Sequence, residues 1–566
     1  MNIQFQHANP RSGRESLILR FEGLLADQTV CVLVDAGADV DTTTLLNEDA
    51  GEFLTAICLT HAHLDHYQSL GANLDHGPPI YTGGDTARIL EDVLETGREH
   101  HGLTQTEEVL DRLEPITTWT QIAPGLRVHP VPAGHTPGAT GFLFEVADDD
   151  VRRTILVTGD FTTRRAAGYP GFDLDLPVDV DTLVLTAATN EEFESTLTDA
   201  IGTILERARA GSTVLATASG LTGVHVAYLL GHLTDQWDDQ LPISLVGHAA
   251  KLYESLGYSV PNVTSVPEFT APSDALTAGG VTIAGPEVPV GGSSQRLFEA
   301  IRDDPGATLV QLTSGASDPL SSAACTTHHF TLSNHPTSDT IDAVVDAFAP
   351  IQTVITHQQG AAANQYKDKY ASFVWATDNT DCYTLLDDAG WTPPPWVTDQ
   401  TTRRVRAAAT TNGSLLTNGS VELECSLPTA TRCDDVDLAA EGLDLEQLRA
   451  RIPPRPDPQL SNGATETTAD ETSTVPAETT SEPQSPADTE TAETQTIEQS
   501  LAAIDQRLGR IESAVTTQEL TAQVVDAGDG TILLRLEDPP VDLEHGQQLR
   551  VRLSNCELDT ETVTDQ

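Results

Sequence analysis

The chain has 566 residues, with 85 acidic against 30 basic side chains and a formal net charge of −55. That length exceeds the ~250–300 residues at which a single core stops growing, so a composite body with a separate tail is expected. No run of about 18 apolar residues occurs, the opening MNIQFQHANPRSGR lacks a signal-type apolar core, and the seven scattered cysteines form no CxxC pair. These features exclude membrane-spanning and disulfide-scaffold classes and predict a cytoplasmic protein with reduced thiols and no membrane partner.

Lysine occurs only at 251, 367 and 369, and acid-rich stretches such as 173–181 lie far from the tail. Self-repulsion of that size opposes compaction unless salt screens it, and at ~1 M salt the Debye length is about 3 Å. The composition therefore predicts a halophilic protein. Under such screening, net negative charge does not argue against nucleic acid as a partner.

In chain order, residues 1–190 alternate short apolar runs with loops. The runs 30–37, 56–63, 141–146, 154–160 and 181–187 read as buried strands ending in polar residues. Residues 191–325 change to an alternating α/β pattern: a helix ending near Gly211, a strand over 212–219, a helix to Leu233, and strands over 242–247 and 307–315. Residues 326–397 begin with the strand-like HHFTLSN, followed by a helix over 338–348 and a strand over 351–357. The signal over 398–452 is weak. Residues 453–495 are Thr, Glu, Ser, Pro and Ala with few large apolar side chains, which predicts a disordered acidic linker. In the last part, 496–566, Ile497, Leu501, Ile504, Leu508, Ile511 and Val515 follow heptad spacing, so self-association through 497–515 is expected. The rival is packing on the β-like segments TILLRLE and QLRVRL that follow.

The densest chemistry lies in Thr60-His61-Ala62-His63-Leu64-Asp65-His66. Four candidate ligands follow the end of an apolar strand. Imidazoles suit zinc and a carboxylate adds a hard oxygen, so one loop can serve two cations.

His61-x-His63-x-Asp65-His66 resembles the HxHxDH signature of the metallo-β-lactamase superfamily. Asp35 in VLVDAG, His135 in PAGHTPGATG and Asp160 in LVTGDF match its flanking motifs in order. The resemblance implies an αββα sandwich in which His61, His63 and His135 hold one metal and Asp65 and His66 the other. Asp160 would bridge them, and Asp35 would orient ligands rather than bind. The region FTLSNHPTSDTIDAVVDAFAPIQTVITHQQG is similar to the closing part of the β-CASP branch. His357 then completes the second metal site and His335 contacts substrate, with catalytic roles implied for Asp65 and His335. The domain plan that follows is lactamase-type sequence over 1–190, a β-CASP-like α/β insertion over 191–325, the closing lactamase part over 326–397, and an extension over 398–452. The linker and a small helix/β module complete the chain. Two departures stand out. Thr186 occupies a position that is usually acidic, with Glu191 or Glu192 as substitutes, and THQQG lacks the usual Gly and Glu.

The activity this implies is a di-zinc phosphodiesterase, other divalent metals also being suitable, acting on RNA rather than DNA. A shared water of lowered pKa would be the nucleophile. Alternatives are hydrolysis of a small ester, thioester or lactone, and a non-catalytic scaffold. Arg164 and Arg165, with Arg403, Arg404 and Arg406, are equally suited to phosphate contact and to internal ion pairs, whereas His100, His101, His225, His232, His248, His328 and His329 read as surface or core residues.

Overall fold

The computed structural model describes residues 1–148, 151–411, 427–452, 522–526 and 532–536. The chain divides into two units, Met1–Gly463 and Ala464–Gln566. In the second, the described residues form an antiparallel pair, Ala522–Asp526 with Ile532–Leu536. The expected linker, the heptad segment 497–515 and QLRVRL lie outside the described residues.

Among the described residues the first unit carries three sheets. Eight strands form the first, in the spatial order Gly390–Trp391, Tyr383–Asp387, Asn2–His7, Leu17–Glu22, Thr29–Val34, Glu52–Leu59, Ile80–Gly83 and Leu113–Ile116. Seven form the second: Phe373–Trp375, Gln352–Thr356, Thr182–Thr186, Val151–Val157, Thr140–Asp148, Leu126–Pro132 and Thr120–Ala123. Strand periodicity decides how they pack. Leu17, Leu19 and Phe21 point into one apolar cluster with Phe142, Phe144, Ile155, Val184 and Trp375 of the second sheet, while Ile18 points to the opposite face. The opposite face of the first sheet is covered by Ile89, Leu90 and Val93 of the helix Gly84–His101. That of the second is covered by Ile341, Val344 and Val345 of the helix Ser338–Phe348. The result is the expected αββα sandwich. Thr182–Thr186 is buried throughout because helices and the facing sheet close both of its sides.

Between Thr186 and Ser338 the chain builds a third sheet of six parallel strands, in the order Val263–Val266, Ile243–Val246, Val281–Ala284, Thr213–Thr217, Ala307–Thr313 and Thr326–Thr331. The helices Phe193–Arg209, Gly220–Gln236 and His248–Ser255 cover one face, and Gly292–Ile301 covers the other. The first of these helices gives way to Gly211 at φ +86°, a left-handed position that glycine adopts without strain. Thr326–Thr331, expected to open the closing lactamase part, instead pairs with Ala307–Thr313, so the inserted lobe runs past 325. It lies at the sheet edge, and none of its residues is fully buried.

The weak-signal segment is ordered where described. Residues 427–452 lie against both lobes, and Glu441 is fully buried. Its carboxylate accepts from the Ala167 and Gly168 amides at 2.7 Å each and pairs with His225 Nε2 at 2.8 Å. Arg451, in the helix Leu445–Arg451, holds Glu206 through two bonds of 2.7 and 2.9 Å.

Candidate metal centre

Parallel pairing aligns the strand ends that matter. Thr29–Val34 runs beside Glu52–Leu59, and Thr182–Thr186 runs between Val151–Val157 and Gln352–Thr356. Asp35, Thr60, Asp160 and His357 therefore emerge along one rim of the sandwich.

Asp35 leaves its strand at φ +57°, a conformation that costs a non-glycine residue energy and persists only when surroundings hold it. Three contacts do so. Its carboxylate accepts from the Thr60 amide and hydroxyl, both at 2.8 Å, and meets His66 Nδ1 at 2.8 Å. Thr60 Oγ1 also lies 3.0 Å from His61 Nδ1. The third imidazole, His135, directs Nδ1 at the Asn334 carbonyl at 2.8 Å. One ring nitrogen of His61, His66 and His135 is thus occupied by an outer partner, which turns the other nitrogen inward.

The inward atoms converge. His61 Nε2 and His135 Nε2 lie 3.0 and 3.1 Å from His63 Nδ1. Asp160 Oδ2 is 3.4 Å from His66 Nε2 and 3.7 Å from His135 Nε2, while Oδ1 is 3.0 Å from His357 Nδ1. Three groups offer ligand atoms within 4.8 Å of one another: His61/His63/His135, His61/His66/Asp160 and His135/Asp160/His335. Asp65 and His357 stand at the rim. Asp65, half exposed, reaches to 3.8 Å from His66 Nε2, and His357 joins through Asp160. His357 itself adopts φ +55° and donates its amide to the Arg14 carbonyl at 2.9 Å.

The electrostatics suit cations. Burial, reinforced by neighbouring imidazoles, pushes the pKa of His61 well down, and burial also lowers those of His63 and His135, the last to about 4. These rings are neutral, the form that binds metal. Burial opposes ionisation of Asp160, but His357, His66 and His335 outweigh it and hold its carboxyl well below the usual range. Burial likewise opposes charge on His66, but Asp35, Asp160 and Asp65 raise its pKa well above normal. His66 Nε2 is buried without a hydrogen-bond partner, facing carboxylates. An orphaned inward nitrogen beside an ionised acid is what a divalent cation would satisfy, so the residues present fit the metal implied by the sequence.

His335 lies over the same centre, its ring 4.9 Å from that of His135 and 5.8 Å from that of His357. Burial lowers its pKa to about 3, with Asp160 pulling the other way, and Nδ1 has no hydrogen-bond partner. The position expected to be acidic is settled differently from either suggestion. Thr186 Oγ1 sits 3.4 Å from Thr356 Oγ1, and Glu191 accepts from the Ser338 amide and hydroxyl at 2.8 and 2.6 Å. Glu192 occupies the exposed N-cap of Phe193–Arg209.

Sequence reasoning missed Asn334, Asn190 and the fixed role of Arg164, since isolated polar loop residues carry no periodic signal. Of the arginines weighed for phosphate contact, Arg164 donates to Asn334 and His335, and Arg165 pairs with Asp435 at 3.0 Å.

Residues 23–192 match the family described as the metallo-beta-lactamase superfamily. The chain is 28% identical over 219 residues to a ribonuclease of Thermus thermophilus, covering 36% of this chain and 49% of that protein. It is 31% identical over 106 residues to a DNA cross-link repair protein of Schizosaccharomyces pombe, covering 19% and 17% of the two chains. Over 135 residues it is 31% identical to an uncharacterized protein of Synechocystis, covering 23% and 22%. The chain therefore aligns with about half, or less, of the length of these curated relatives. Among the described residues no helix is long and apolar enough to cross a membrane.

Proposed function

From a chain that belongs to the metallo-β-lactamase superfamily, in its β-CASP branch, we propose a two-zinc phosphodiesterase that cleaves nucleic acid, RNA in preference to DNA. The observation that carries this reading is the convergence of His61, His63, His66, His135 and Asp160 from both sheets into mutually close ligand groups. When bound, a pair of divalent cations would supply a water of lowered pKa and stabilise charge on the attacking and leaving oxygens. His61, His63 and His135 would hold one cation and Asp65, His66 and His357 the other, with Asp160 between them. Asp35, Thr60 and the Asn334 carbonyl keep three of these rings in the ligating tautomer. His335, neutral and with Nδ1 unpaired, would donate a hydrogen bond to a phosphate oxygen. The longer match, to a ribonuclease, favours RNA.

A second reading, hydrolysis of a small ester, thioester or lactone, draws on one observation: Arg164 and Arg165 are both engaged within the chain. A backbone-tracking groove would have to use other cations.

The test is incubation of the full-length protein with labelled RNA and DNA oligomers in molar KCl, with and without chelator, alongside elemental analysis. We expect about two zinc ions per chain, chelator-sensitive RNA cleavage, and loss of cleavage with retained metal in His335→Ala. A metal-loaded protein that leaves both oligomers intact yet hydrolyses a thioester would transfer the assignment to the second reading.

A further inference from the structure

We infer that Arg164 is a positioning residue for His335, holding the loop 333–336 against the metal centre through Asn334. The inference rests on the nuclease reading for its catalytic consequence and on geometry alone for its structural one. Arg164 lies in the loop that follows Asp160, and its side chain is only 10% exposed. Nη2 donates to the Asn334 side-chain oxygen at 3.0 Å and to the His335 carbonyl at 2.7 Å. Nη1 reaches Glu194 at 3.4 Å, and the guanidinium stacks 4.6 Å above the Phe193 ring. Both of these bonds leave Nη2, while Nη1 and the stacked plane anchor the group on Glu194 and Phe193, a combination that a compact ammonium on a flexible stem does not reproduce.

Asn334 passes this restraint to the ligands. Its backbone oxygen accepts from His135 Nδ1 and its side-chain amide donates to the His135 carbonyl, both at 2.8 Å. From the other side, Asn190 donates its side-chain amide to the Ser333 carbonyl at 2.8 Å and its backbone amide to Pro336 at 2.9 Å. Every backbone carbonyl from Ser333 to Pro336 is thus claimed: by Asn190, His135, Arg164 and Asn190 in turn. Thr186, at the usually acidic position, meets Thr356 rather than this loop. Here the imidazole is aimed by fixing the backbone that carries it.

The rival role for Arg164 is direct phosphate binding. Against it stand the engagement of both terminal nitrogens and the burial of Nε.

The experiment compares wild type, Arg164→Ala, Arg164→Lys, His335→Ala and Arg164→Ala/His335→Ala as full-length proteins with zinc. Hydrogen–deuterium exchange by mass spectrometry needs no substrate. In Arg164→Ala the amides of 333–338 should exchange on the order of tenfold faster, and Arg164→Lys should fall between that variant and wild type. Should Arg164→Ala fail to fold, the lysine variant carries the measurement. Kinetics with an RNA oligomer should show kcat down on the order of 100-fold in Arg164→Ala, with KM unchanged. The double variant should be no worse than His335→Ala alone. Wild-type exchange in both Arg164 variants would overturn the inference. So would a raised KM with additive losses, which marks a substrate contact. If wild type cleaves no nucleic acid, the function proposed above fails, and the exchange data still decide the role of Arg164.

Discussion

The two lobes of the first unit divide their labour unequally. Every side chain proposed as a metal ligand comes from the rim of the αββα sandwich, and the six-stranded parallel lobe contributes none of them. Backbone geometry explains the difference. In the sandwich, adjacent parallel strands from two facing sheets end along one rim, so short loops can turn imidazoles and carboxylates toward a common point. The inserted lobe is wrapped in helices on both faces and spends its buried surface on its own core. Its proximity matters through the junction: His335 lies in the loop that leaves its last strand, and residues 427–452 fasten it to the loop after Asp160. The sandwich should therefore govern cation binding, and the junction should govern stability and alignment.

The largest expected effect lies at Asp160. This carboxylate touches His66, His135 and His357, so Asp160→Asn should remove the charge both cations share. Zinc content should fall below one per chain by elemental analysis, and cleavage should drop by at least ~10³-fold, equivalent to the several kcal/mol such stabilisation supplies. Full zinc content in that variant would show that the ligands are organised differently. Glu441→Ala is the complementary probe. It leaves two amides and His225 unpaired in the interior, which should cost about 3 kcal/mol in denaturant unfolding while zinc content stays at wild-type level. Lost zinc in a folded Glu441 variant would blur the separation between lobes.

How much of this can be read from the chain follows from where each signal resides. His61, His63, Asp65 and His66 are legible because one contiguous loop carries all four ligands. The helix Ser338–Phe348 is legible because Ile341, Val344, Val345 and Phe348 keep helical spacing behind a Thr337 cap, whose hydroxyl accepts from the Thr340 amide. Thr326–Thr331 is harder: its two histidines and three threonines carry no apolar run, and only pairing with Ala307–Thr313 shows which sheet it joins. Asn2–His7 and Leu17–Glu22 are obscured by polar residues on their pleats, including Arg20, which is buried only because Gln6, Glu52 and the Leu45 carbonyl receive it. Glu441 is silent in sequence, and so is the choice between the two roles open to Arg164. The partners of these two residues lie 216 and 170 residues away, and single long-range contacts leave no local pattern.

The smallest expected effect concerns the same junction and depends on pH. His248, at the start of the helix His248–Ser255 in the inserted lobe, places Nδ1 3.0 Å from the Thr96 hydroxyl on the helix Gly84–His101 of the sandwich. Burial lowers its pKa from 6.5 to about 4. Asp92 and Glu95 act against that shift, and Lys251 and His100 act with it. In the unfolded chain the imidazole takes up its proton as pH falls through about 6.5, whereas the folded protein resists until about 4. The unfolded state therefore binds more protons across that window, and stability declines as pH drops through it, with full stability retained above it. At pH 5.5 the loss should be about 1 kcal/mol. Asp160, whose pKa is depressed, adds an acid-sensitive contribution of its own, so the informative quantity is a difference between variants. His248→Gln keeps a polar group for Thr96 but cannot titrate. Urea unfolding in molar KCl at pH 8 and 5.5 should show wild type losing about 1 kcal/mol more than the variant, with equal zinc content in both. Equal losses would mean that this imidazole protonates within the folded junction, and that the contact between lobes is looser than the burial of His248 implies.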